Sequence, residues 1–139
     1  SEIIMDLNSI KLNGDTLPTN IFSDVAETAA EHTLAYQKNG KISDVNKSTQ
    51  LRKFYDELVM WPHNVQHVAN PEEAYQQAAP FIQMLKAKAA YAKGRNHVDN
   101  NFTELFDRII SQIDNAQSLR HAKLFFEAVM GYRKAYETK

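Results

Sequence analysis

The sequence predicts an all-α fold, a five-helix bundle, on three observations. Glycine and proline are scarce, four of each in 139 residues, whereas an all-β domain needs turn residues every 8–12 positions or so. The long stretches between them carry apolar residues at i, i+3, i+4 and i+7, the stripe of an amphipathic helix. Hydrophobic residues make up 43%, and a chain of this size typically buries about 68% of its unfolded surface. One helical domain over residues 1–139 follows.

Residues 1–18 carry no sustained period and contain the turn-like Asn13-Gly14-Asp15. They read as a flexible N-terminal arm, with a short extended piece around Ile10–Leu12. The first helix runs from about Asn20 to Lys38, with Ile21, Val25, Ala29 and Ala30 on one face and Gly40 just beyond its end. The second begins near Ser48, a good N-cap, and carries Leu51, Phe54, Tyr55, Leu58 and Val59. It is expected to stop by Trp61, because Pro62 biases its predecessor out of helical geometry.

Asn70-Pro71-Glu72-Glu73 opens the third helix with a cap, Pro at N1 and Glu at N3. Pro80 lies nine residues further in, where it costs about 3 kcal/mol. The helix is therefore kinked there, or split with a second segment from Pro80 to Lys93 closed by Gly94. The fourth helix, about Asn100 to Asp114 behind an Asp99 cap, carries Phe102, Leu105, Phe106, Ile109, Ile110 and Ile113. The fifth starts at Ser118 and carries Ala122, Phe125, Phe126, Val129, Tyr132 and Tyr136.

Composition excludes several classes of function. Without cysteine there is no disulfide framework, no thiolate metal site and no cysteine nucleophile. No apolar run approaches the roughly 18 residues of a membrane span, so a cytoplasmic protein without membrane contact is expected. His63 and His67 stand at i, i+4, but they follow Trp61-Pro62, read as a loop and lack the Glu of a zinc-protease helix. Arg95 and His97 lack the spacing of the helical HEPN ribonucleases. No Gly-rich phosphate loop and no nucleophile motif is present. The expectation is a protein with no catalytic residues, no metal and no cofactor.

The net charge of -1 hides a segmental pattern. Residues 1–40 hold two basic and six acidic side chains, residues 41–95 eight and five, and residues 96–139 six of each. On the third helix Lys88, Tyr91 and Arg95 share one shoulder of the apolar face, and Lys86 and Lys93 the other. A basic strip with an aromatic inside it suits a phosphate backbone. The alternative is that long basic side chains at a core boundary cover apolar surface, with Tyr91 a boundary core residue.

Three segments carry a resemblance. Ser48-Thr49-Gln50-Leu51-Arg52-Lys53-Phe54-Tyr55 opens the second helix. Tyr91-Ala92-Lys93-Gly94-Arg95 ends the third, and Phe125-Phe126-Glu127-Ala128-Val129-Met130-Gly131-Tyr132-Arg133-Lys134 fills the fifth. In this order and spacing the chain resembles the small subunit of type III-A CRISPR effector complexes, the all-helical component of the Csm complex. The resemblance covers about Lys47 to Tyr136.

It implies a non-catalytic, RNA-binding structural subunit that lines the channel for guide RNA and target RNA and supports antiviral defence. Its partners would be those RNAs, other Csm subunits and further copies of itself. By motif position Arg52, Lys53, Lys86, Lys88, Arg95 and Lys134 would meet phosphate, and Gln50 and Tyr91 sugar or base. The alternative for Arg52 or Arg95 is to be held in place by an ion pair with Glu127. The competing reading is a helical protein–protein interaction or dimerisation module using Trp61 and Tyr136.

Overall fold

Each helix of this chain forms where an apolar stripe finds a partner surface. The computed structural model describes residues 5–34, 39–40 and 43–137. After a 3-10 turn at Leu7–Ser9, the first helix opens as a π-helical turn, Ile21–Val25, and continues as α1, Ala26–His32. Then follow α2 (Ser48–Gln66), α3 (Pro71–Gln83), α4 (Leu85–Gly94), α5 (Asn100–Ser111) and α6 (Ala116–Glu137). Segments α3 and α4 form one rod bent by 16°. Among the described residues there are thus five helices and no strand, as the sequence predicts. The first helix was expected to run to Lys38 but ends at His32, with Thr33 as its C-cap; residues 35–38 lie outside the described residues.

The two interior prolines are accommodated differently. Helix α2 does not stop at Trp61 but runs on to Gln66 with Pro62 inside it. Pro62 and Val65 are buried on the core-facing side, and this burial outweighs the one backbone hydrogen bond that proline forfeits. Pro80 is exposed, so water can take the carbonyl of Gln76 that it leaves without a partner. The rings beside the two prolines, Trp61 and Phe81, stack with centroids 6.2 Å apart.

Helix starts follow local polar chemistry. The Asn70 side chain accepts from the Glu73 N–H at 3.2 Å, and Asp99 accepts from the Phe102 N–H at 3.1 Å. Glu72 caps a different helix, accepting from the Ala116 N–H at 2.9 Å. Helix α6 begins two residues before Ser118, because Asn115 accepts from the Ser118 N–H at 2.7 Å.

The core centres on Phe54, Phe102, Phe106 and Phe126, whose ring centroids lie 5.2 to 6.4 Å apart. From the N-terminal segment, Met5, Ile10 and Leu12 are buried in the same core. Arg108 donates twice to the Ile10 carbonyl, at 3.1 and 2.8 Å. Gln112 accepts from the Leu12 N–H at 3.1 Å, and His121 Nδ1 meets the Leu12 carbonyl at 2.8 Å. The described part of the expected arm is therefore docked on α5 and α6.

A buried polar junction joins the remaining loops. Arg133 is fully buried and donates to Thr33 Oγ1 (2.9 Å), the Asn46 carbonyl (2.7 Å) and Glu137 (3.1 Å). Asn46 adopts φ +60°, donates to Asp99 Oδ1 at 2.7 Å and accepts from the Asp99 N–H at 2.9 Å. The Ser48 hydroxyl donates to Glu137, which fixes the start of α2 against the end of α6.

Candidate nucleic-acid interface

Helix α2 lies between α6 and α4, and its exposed side forms the middle of a surface with a groove on either flank. The groove toward α6, about 680 Å³, is lined by Arg52, Lys53, Lys134, Ser48 and Thr49 together with Asp56 and Glu127. The groove toward α4, about 530 Å³, is lined by Gln50, Lys53, Lys88 and Tyr91 over Phe54, Met84 and Ala92. Lys53 stands in both. Six of the eight sequence-predicted residues, Gln50, Arg52, Lys53, Lys88, Tyr91 and Lys134, therefore share one face.

Arg95 adjoins that face, donating to the Tyr91 hydroxyl at 3.1 Å with its guanidinium 5.9 Å from the ring centroid. Lys86 does not join it. Its ammonium donates to Ser111 on α5 at 2.8 Å, and Lys93 donates to Asn100 at 2.9 Å. The two basic lines of the third helix thus serve different neighbours. Tyr91 is 67% exposed, which removes its reading as a boundary core residue.

Carboxylates temper the cations. Arg52 pairs with Asp56 at 3.1 Å and lies 5.3 Å from the Tyr55 ring centroid. Lys88 pairs with Glu57 at 2.8 Å across the α2–α4 groove. Glu127 pairs with Lys123 at 3.6 Å, so the alternative pairing with Arg52 or Arg95 is not the one formed. Burial, reinforced by Glu127, holds the Tyr55 phenol above its ordinary value. Four cations against three carboxylates line the two grooves, so the face is only mildly positive.

The three sequence segments behind the resemblance meet at this surface, the start of α2 between the end of α4 and the middle of α6. A family model described as Csm2 Type III-A matches residues 22–139. The chain belongs to that family. Comparison with curated proteins and with solved structures gives no match. Membership in the Csm2 Type III-A family makes the chain a structural subunit of a type III-A CRISPR complex. The N-terminal strap through Leu12 lies outside the matched residues, although it fills the same core.

Other candidates take different places. His63 lies within α2 and His67 caps it, instead of both standing in a loop, and their rings meet edge-on at 5.0 Å. Among the described residues no group of three or more His, Asp or Glu is placed to hold a metal ion. No helix among them is long and apolar enough to cross a membrane. Tyr136, a candidate for an exposed contact, instead donates to Glu31 at 2.6 Å and lies 2.9 Å from Glu27.

Sequence reading missed Glu57 as the partner of Lys88. It also missed Arg133, although the stripe Phe126, Val129, Arg133, Tyr136 places an arginine at a core position.

Proposed function

We propose that this subunit is a non-catalytic, RNA-lining component of its type III-A complex, with the face built by α2, α4 and α6 turned toward guide RNA and target RNA. The observation that carries the reading is the convergence of Arg52, Lys53, Lys88 and Lys134 from three helices beside two grooves. Guide-directed recognition leaves sequence reading to base pairing, so the protein needs shape and phosphate contacts only. A mildly positive face suffices when copies repeat along the RNA, because each adds its phosphate contacts to those of its neighbours. The setting is the cytoplasm, and the biological role is antiviral defence.

The test compares wild type, an Arg52/Lys53/Lys134→Ala variant and a Lys86→Ala variant for RNA affinity across a salt series. Binding should be sequence-independent, salt-sensitive and lost in the triple variant, while Lys86→Ala stays near wild type. Equal, salt-insensitive binding by all three would sink the assignment.

A second surface supports contact with other subunits, further copies of the chain included. Met60, Val68, Phe81 and Met84 are the large aliphatic or aromatic side chains, besides Tyr91, that the described residues leave exposed. Phe81 stacks on Trp61 where α2 meets α3, and the two rings line a shallow groove with Val65, Ala74 and Ala78. An exposed aromatic ring beside an apolar groove suits protein contact.

A further inference from the structure

The two grooves that flank α2 differ in chemistry, and phosphate binding alone accounts for only one of them. The α6-side groove sets Arg52, Lys53, Lys134 and the hydroxyls of Ser48, Thr49 and Tyr55 against two carboxylates, Asp56 and Glu127, a polar lining suited to phosphate and ribose. The α4-side groove has a floor of Phe54, Ala87 and Ala92, a Met84 edge and a Tyr91 wall. A solvated phosphate gains nothing from an apolar floor. A nucleobase does, because it has two apolar faces and a polar edge that needs hydrogen-bonding partners.

Resting on the RNA reading above, we infer that the α2–α4 groove seats one unpaired nucleobase of the bound RNA, stacked on Tyr91, while Lys53 and Lys88 hold its flanking phosphates. Tyr91 is 67% exposed, so most of its surface stays open to a base even with the Arg95 guanidinium 5.9 Å from the ring centroid. Arg95 steadies it by the 3.1 Å bond to its hydroxyl, which lowers the entropy lost on stacking. Gln50 lines the same groove and presents an amide to the edge of a base. The cavity, about 530 Å³, admits a purine with its ribose. Bases inside an A-form duplex are stacked on one another and cannot enter a groove of this kind. The seated base therefore comes from a position where pairing is interrupted or absent.

The experiment places a single 2-aminopurine in a short RNA and follows its fluorescence on addition of the full chain, with the RNA single-stranded or annealed to its complement. A matched single strand with one abasic position gives the affinity without the base. For the single strand, the 2-aminopurine signal should change on binding, and the abasic position should weaken affinity when it falls in the groove's register. Tyr91→Ala should lower single-strand affinity about tenfold and leave duplex affinity unchanged, while Tyr91→Phe keeps most of it. Lys134→Ala should weaken both RNAs alike. Circular dichroism of Tyr91→Ala confirms that the bundle is intact, as an exposed side chain requires.

An unchanged 2-aminopurine signal, or equal losses on single strand and duplex for Tyr91→Ala, overturns the base site and leaves the phosphate interface standing. Wild-type chain that binds neither RNA at low salt overturns both.

Discussion

Two side chains show how much a single position decides. Glu57 neutralises Lys88 across the α2–α4 groove at 2.8 Å, both partners being roughly half exposed, so the pair itself contributes little stability. Glu57→Gln should leave the melting temperature within a degree or two and raise RNA affinity a few-fold, read by fluorescence anisotropy at low salt, because a cation is released and a repulsive charge removed. Arg133 is the opposite case. It is fully buried and serves Thr33, Asn46 and Glu137 at once. Truncation strands those acceptors away from water, so Arg133→Ala should cost about 3 kcal/mol in urea unfolding. Arg133→Lys should recover only part of that, since one ammonium cannot match the guanidinium fork. Periodicity could have put an arginine on the core stripe of α6, but it could not name Thr33 and Asn46, which lie a hundred and 87 positions away.

At the scale of the helices, capped starts and the stop at Gly94 were legible, and the stop of α2 was not. Asn70 and Asp99 were recognisable as caps because capping is a contact within three residues. The end of α2 was not, because burial of Pro62 and Val65 by residues remote in sequence overrides the local preference of a proline. The candidate face was half legible for the same reason. Periodicity put Lys88, Tyr91 and Arg95 on one line, but only the packing of α2 between α4 and α6 shows that Lys86 faces α5 and that Lys53 belongs to both grooves. Pro80 gives the prediction at this scale. It is exposed and sits inside a helix, so Pro80→Ala restores a backbone donor without opening a cavity. The gain should be about 1–2 kcal/mol, less than the full helix penalty because alanine also loosens the unfolded chain. Differential scanning calorimetry reads it as a raised melting temperature, and a lowered one would show that the bend is held by packing elsewhere.

For the whole molecule, pH and salt report on different parts. Tyr136 is pushed far above its ordinary value by its hydrogen bond to Glu31, by burial and by Glu27. Tyr75 and Tyr55 are raised chiefly by burial. A phenol whose folded pKa is raised contributes stability that is fully present below its unfolded value of about 10 and lost as pH rises through the folded value. Stability should therefore fall above about pH 10. Tyr136→Phe should be less stable than wild type at neutral pH and decline less steeply in alkali, as urea titrations from pH 8 to 11 would show. Salt addresses the RNA face instead. With about four phosphate contacts per chain, log affinity for single-stranded RNA should fall with log salt at a slope near -3. A much steeper slope would place more of the 16 basic residues on the RNA than the two grooves hold.

The docked N-terminal strap bears on how the chain is made. Ile10 and Leu12 are held by Arg108, Gln112 and His121, which follow them by 98 to 109 positions. Thr33 waits just as long for Arg133. Emerging from the ribosome, Ile10 and Leu12 thus have none of these partners to meet until α5 and α6 have been translated. Helical bundles usually fold from near neighbours and fold fast. This one can bury Ile10 and Leu12 in their native places only after α5 and α6 exist, which leaves two large apolar side chains uncovered during synthesis, the condition under which nascent chains aggregate.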